Sequence, residues 1–173
     1  MKNNYKKTIK NNIRPSWDEY FINIARETAR RATCKKRQFG AVIVGDKRIV
    51  ATGYNGSPAG LKHCIEEGCY EIDTHCVRTL HAEMNAILQV ALQSQNLSSF
   101  TDLVIYIAGP GQPCLLCMKL IIGAGIKRIV CEKIYRPKEH WKEYEFIDKI
   151  LGKAGVIMEE YGVNNKNKRI YER

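Results

Sequence analysis

LVIYIAGPGQPCLLCMKLIIGAGIKRIVCE, residues 103–132, decides the fold. Leu103 to Ala108 is a short apolar run of strand length, and Gly109-Pro110-Gly111-Gln112 breaks it. Pro113 then opens a helical stretch that stops near Gly123 or Gly125, and Lys127 to Glu132 is a second strand. Two strands joined through one helix lie parallel, with a right-handed crossover. The pattern repeats downstream, where an amphipathic helix from Glu139 closes at Gly152 and a strand follows from Gly155 to Met158. Upstream, Ser16 with Glu19 three residues later starts a helix from about 17 to 32. Phe39 to Val44 and Arg48 to Thr52 flank Gly45-Asp46-Lys47 and read as a hairpin. The order α-β-β-α-β-α-β-α-β predicts an α/β protein, a three-layer α-β-α sandwich around a five-stranded mixed sheet.

The cysteines of that opening stretch, in Pro113-Cys114-Leu115-Leu116-Cys117, have an upstream counterpart in His81-Ala82-Glu83. One histidine and two cysteines give three metal ligands, one short of a tetrahedron, which is the arrangement of a catalytic rather than a structural zinc. Zinc so held acidifies a bound water, and Glu83 is placed to carry protons beside the metal. Cys114 and Cys117 share one helix face. Pro113 suits a helix start. His81 and Glu83, two apart, converge only in the first turn of a helix, and Met84 to Leu92 supplies the helix formers to continue it. Two helix N-termini then face one metal and favour thiolates. H-x-E…P-C-x-x-C is the signature of zinc nucleobase deaminases. A structural zinc knuckle or a redox pair is the competing reading of the C-x-x-C alone.

Length bounds the chain to one domain of 173 residues. Of the net charge of +10, five units lie in residues 1–15 and three in residues 164–173, leaving +2 for 16–163. The reading is therefore a folded domain over 16–163 between flexible basic tails, which counts against nucleic acid as the partner. Seven cysteines, an odd number, argue for thiols and metal rather than a disulfide framework. With no long apolar run and no leader-like N-terminus, a cytoplasmic protein with no membrane contact is expected.

Gly40-Ala41-Val42-Ile43-Val44, the loop Gly53-Tyr54-Asn55-Gly56-Ser57-Pro58-Ala59-Gly60, His81 to Ile87, Pro113 to Cys117 and Ala124-Gly125-Ile126 together resemble the deoxycytidylate (dCMP) deaminase family, in its bacterial branch. The resemblance covers about residues 16–162. It implies the cytidine-deaminase-like sandwich and hydrolysis of dCMP to dUMP with release of ammonia, supplying dTMP synthesis. It makes His81, Cys114 and Cys117 the catalytic zinc ligands and Glu83 the proton carrier between attacking water, N3 and leaving amine. Asn55, Ala82 and Tyr135 become substrate contacts, with Lys36 and Arg37 as basic candidates at the phosphate. It also implies a homo-oligomer, hexamer or dimer, and dCTP and dTTP as effectors at Gly53, Asn55, Gly56 and Gly60. Leu88-Gln89-Val90-Ala91-Leu92 departs from the aromatic and arginine of regulated members, which counts against effector binding.

A second, structural zinc is expected near residues 61–80, where cysteines and histidines are dense. By resemblance to a phage-type member, Cys34 and His75 are two ligands; Cys64 and Cys69 complete the set, with Cys76 as rival. Buried free thiols are the alternative. Against the whole reading stand a tRNA adenosine-type deaminase, which shares the zinc motif, and a zinc-stabilised nucleic-acid-binding module. Glu83 beside an open metal position argues against the latter.

Overall fold

The computed structural model describes residues 14–163, apart from 74, 94 and 95, and describes residue 75 by its backbone alone. The expected tails lie outside these residues, Arg14 and Pro15 excepted. Helix α1 (Trp17–Ala29) begins with Ser16 Oγ accepting from the Glu19 N–H at 3.1 Å. Strands β1 (Gly40–Gly45) and β2 (Arg48–Tyr54) form the antiparallel hairpin. Its turn residues Asp46 and Lys47 both have positive φ, 48° and 63°, the type I′ geometry whose twist matches the strands. The cysteine-rich insert contains α2 (Cys64–Glu67) and a small pair, β3 (Glu71–Ile72) with β4 (His75–Cys76). Then follow α3 (Ala82–Leu92), β5 (Leu103–Ala108), α4 (Leu115–Gly123), β6 (Arg128–Cys131), α5 (Trp141–Ala154) and β7 (Ile157–Glu160).

The sheet order is β2-β1-β5-β6-β7, antiparallel across β2-β1-β5 and parallel across β5-β6-β7. This is the mixed five-stranded sheet that the sequence predicts. Side chains alternate along each strand, so one sheet serves two cores. Val42, Val44, Val104, Tyr106 and Val130 pack with Phe21, Ile22 and Ala25 of α1. Ala41, Ile43, Ile105, Ile107 and Ile129 face the opposite way, towards α3, α4 and α5. That explains why β5 is apolar at every position: both of its faces are covered.

Several boundaries differ from the expectation: α1 ends at Ala29 rather than near 32, and α5 starts at Trp141 rather than Glu139. Helix α5 runs through Gly152 and ends at Ala154, because Gly155 rather than Gly152 takes the left-handed conformation, φ 63°. Val156 N–H closes the end on Leu151 O at 3.0 Å, which shifts the last strand to Ile157. Helix α1 is pinned to the sheet by Asp18, which accepts from Arg128 at 2.6 and 2.8 Å and from Tyr106 Oη at 2.7 Å. The Arg128 guanidinium holds the Asp18 carboxyl below the usual carboxylate range.

Two glycines set how closely the layers approach. A Cβ on Gly40 would lie 2.2 Å from Ala25 O and 2.4 Å from Ala29 N of α1. One on Gly53 would lie 2.3 Å from Ala82 O and 2.4 Å from Ala86 N of α3. Helices α1 and α3 thus rest backbone-on-backbone against opposite faces of the hairpin. Among the described residues, no helix is long and apolar enough to cross a membrane.

Candidate active site

Helices α3 and α4 pack side by side in the same layer, and the residues opening them supply the ligands. His81 is the N-cap of α3 and Cys114 the N-cap of α4, both extended at φ −72° and −70°. Cys117 is one turn into α4 and buried. His81 Nδ1 lies 3.6 Å from Cys114 Sγ and 3.4 Å from Cys117 Sγ, and all three atoms fall within 4.8 Å of one another. Ordinary Zn–N and Zn–S bonds at a tetrahedral angle put such atoms roughly 3.6 Å apart. The three donors therefore fit zinc without rearrangement.

Glu83 sits in the first turn of α3 and is 4 % exposed. Burial pushes its carboxyl above the usual range, although its own backbone N–H donates to it and His81 lies near. The hydrogen bond from Cys117, with His81 alongside, pulls the Cys114 thiol down to about 4. Cys117, the donor to that thiolate, is shifted the other way, and the Cys114 contact raises His81. The site is thus made of a thiolate, an imidazole and a buried acid held at two helix ends.

These residues floor a cleft of about 680 Å³. A second hollow, of about 930 Å³, lies beside Trp17, Tyr20 and Ile49, but among the described residues no cysteine, histidine or carboxylate lines it. The cleft at His81 and Cys114 is the one that carries chemistry. Ala82 and Asn55 line it, as do Lys36, Arg37 and Tyr135, the last 60 % exposed at the mouth. Asn55 is 6 % exposed; its Oδ1 accepts from Phe39 N–H at 2.8 Å and its Nδ2 donates to Arg37 O at 2.9 Å. It fixes the 37–39 segment that forms one wall. Of the four residues proposed to meet an effector, only Asn55 lines the cleft. Gly53 is covered by α3, a Cβ on Gly56 would meet Thr33 Oγ1 at 2.8 Å, and Gly60 faces open space with φ 84°.

Residues 15–133 match the family model of the cytidine and deoxycytidylate deaminase zinc-binding region. The chain belongs to this deaminase family. It is 43% identical over 148 residues to ComE operon protein 2 of Bacillus subtilis, covering 85% of this chain and 72% of that one. It is 36% identical over 157 residues to the deoxycytidylate deaminase of Saccharomyces cerevisiae, 86% of this chain but 46% of the yeast protein. Among solved structures, the dCMP deaminase of cyanophage S-TIM5, in complex with dCMP and dUMP, superposes with a TM-score of 0.67 at 27% identity. That match covers 86% of this chain and 98% of the phage enzyme.

The deaminase has a second donor cluster. Cys64, Cys69 and Cys76 bring their sulfurs within 4.8 Å of one another, with Cys64 and Cys76 at 3.8 Å. Tetrahedral thiolates on one zinc are spaced by roughly the same distance. Cys34 lines the cleft beside Cys76 but is not a member of this group, and the side chain of His75 is outside the described residues. Cys76 joins because β4 pairs back on β3, a ladder only two residues long that carries no pattern in sequence. The sequence reading also missed the wall contributed by α5, Glu143 and Tyr144, because its polar face reads as a solvated one. A pair of acidic and aromatic residues in the first turn of a helix is the one faint signal.

Proposed function

We infer that this chain is a zinc-dependent dCMP deaminase, converting dCMP and water to dUMP and ammonia. The observation that carries the reading is the buried Glu83 beside three converging donors at the floor of a nucleotide-sized cleft. His81, Cys114 and Cys117 would hold zinc, which would supply Lewis-acid chemistry that makes a water nucleophilic near neutral pH. Glu83 takes the proton of the attacking water, delivers it to the pyrimidine N3, and moves a further proton to the departing amine. The water oxygen becomes O4 of dUMP. Ala82 borders the base, Asn55 fixes the wall that the nucleotide meets, and Tyr135 with Lys36 and Arg37 serves the phosphate at the mouth.

Turnover of dCMP, deoxycytidine, CMP and dCTP by the zinc-loaded protein tests this. kcat/KM for dCMP should exceed that of the other three by at least about 10-fold. Deoxycytidine lacks the phosphate's binding energy, while CMP adds a 2′-hydroxyl and dCTP two charged phosphates that a site shaped for dCMP does not accommodate. Turnover of none of the four overturns the reading and directs attention to tRNA substrates. Addition of dCTP or dTTP to the same assay reports on regulation.

We also propose a second, structural zinc on Cys64, Cys69 and Cys76, with a fourth donor from Cys34 or His75. Metal analysis should give two zinc ions per chain, falling to one in Cys69→Ser. Structural zinc binding adds directly to folding stability, so this variant should lose roughly 5 °C in Tm while its catalytic zinc stays bound. One zinc per reconstituted wild-type chain would exclude the site.

A further inference from the structure

Helix α4 spends its N-cap on the metal site. The capping position normally supplies a side-chain oxygen to a first-turn N–H, but Cys114 offers a sulfur, turned to His81 and Cys117 and accepting from the Cys117 N–H, which leaves the Leu115 N–H to another acceptor. Helix α3 has no side-chain cap at His81, and there Glu83 accepts from its own backbone N–H. For α4 the acceptor comes from a different helix. Glu143, in the first turn of α5, accepts from the Leu115 N–H, the first of α4, at 3.2 Å, and the same side chain lines the cleft.

We propose that Glu143 is a positioning residue of the active site: its carboxylate caps α4 from outside and so holds Cys114 and Cys117 in register with His81. The bond does two things at once. It satisfies an N–H of the turn that contains both cysteines, and it ties that turn to the helix forming the opposite wall. A partly buried oxygen that accepts from a first-turn N–H satisfies a donor the helix itself leaves unpaired and so fixes the turn. Partners that orient metal ligands typically change metal affinity 10–100-fold when removed. Glu143 acts here on the backbone between the ligands rather than on a ligand itself.

The activity readout of the test rests on the deaminase reading above; the metal readout does not. Glu143→Ala, Glu143→Asp and Glu143→Gln would be compared with wild type for zinc loss to a competing chelator, kcat and KM on dCMP, and Tm. Ser16→Ala, which removes the cap of α1, serves as a control. We expect Glu143→Ala to release the catalytic zinc at least about 10-fold faster and to lose a similar factor in kcat, with KM changed less. Glu143→Asp, one methylene short, should fall the same way, and it serves if the alanine variant does not fold. Glu143→Gln keeps an accepting oxygen and should stay within about threefold of wild type. Ser16→Ala should lower Tm by a few degrees with zinc retention and kcat unchanged. Wild-type zinc retention in both Glu143→Ala and Glu143→Asp overturns the proposal, as does a glutamine variant as impaired as the alanine one. If wild type fails to turn over dCMP while the variants still differ in zinc retention, the positioning role stands and the substrate assignment falls.

Discussion

Glu83→Gln is expected to lower kcat for dCMP by roughly 10³-fold, about 4 kcal/mol in the barrier, with zinc content unchanged. Glutamine has nearly the same shape and fits the same buried space, so α3 and its N-cap His81 stay in place. What is lost is the ability to take a proton from one atom and give it to another. A carboxylate does this in both directions, whereas an amide does neither. Because the substrate would still enter the cleft, KM should move by less than about threefold, so the effect sits in kcat. Steady-state kinetics with zinc quantified on the same samples makes the check. A variant retaining a tenth or more of wild-type kcat would remove Glu83 from the proton path.

Gly53→Ala should be the most damaging substitution that touches no reacting group. The added methyl would sit 2.3 Å from Ala82 O and 2.4 Å from Ala86 N, both backbone atoms that cannot swing aside. Helix α3 has to back away from β2, at a cost of about 3 kcal/mol, or roughly 10 °C in Tm for a chain of this size. Since α3 carries His81 at its start and Glu83 in its first turn, the same displacement moves the site. A misplacement near 1 Å can cost about 10²-fold, so the folded fraction should lose between about 10- and 100-fold in kcat. Gly40→Ala is the informative comparison. Its methyl meets α1 just as closely, at 2.2 Å from Ala25 O, but α1 lies on the face of the sheet away from the metal ligands. Thermal melts should show similar losses for the two variants, with the larger fall in specific activity confined to Gly53→Ala. Equal falls would mean that the hairpin, rather than the seat of α3, controls the site.

The same glycine shows where a sequence stops being informative. Gly53 reads as part of a glycine loop open to a ligand, yet in three dimensions it is the contact that lets α3 lie against β2. Nothing local distinguishes a glycine that frees the backbone for a ligand from one whose missing side chain is filled by a helix thirty residues on. Cys76 is a parallel case. The family resemblance and its adjacency to His75 favour other donors, and only the pairing of β4 with β3 brings its sulfur 3.8 Å from Cys64. Glu143 is a third: its partner is the Leu115 N–H, 28 residues away, and the need for an outside acceptor there is visible only once Cys114 is seen turned to the metal site.

By itself the sequence determined the order of the principal elements, the mixed five-stranded sheet and the parallel connections of β5 to β7, though not the small elements α2, β3 and β4 of the insert. It could do so because those features are written in local periods, caps and short spacings, which act within a few residues of chain. Only the tertiary structure decided which side chains share a cleft, which glycines are packing contacts, and which thiols meet in the insert. Those outcomes depend on how helices seat on a sheet, and side-chain packing between distant segments leaves no local pattern to read.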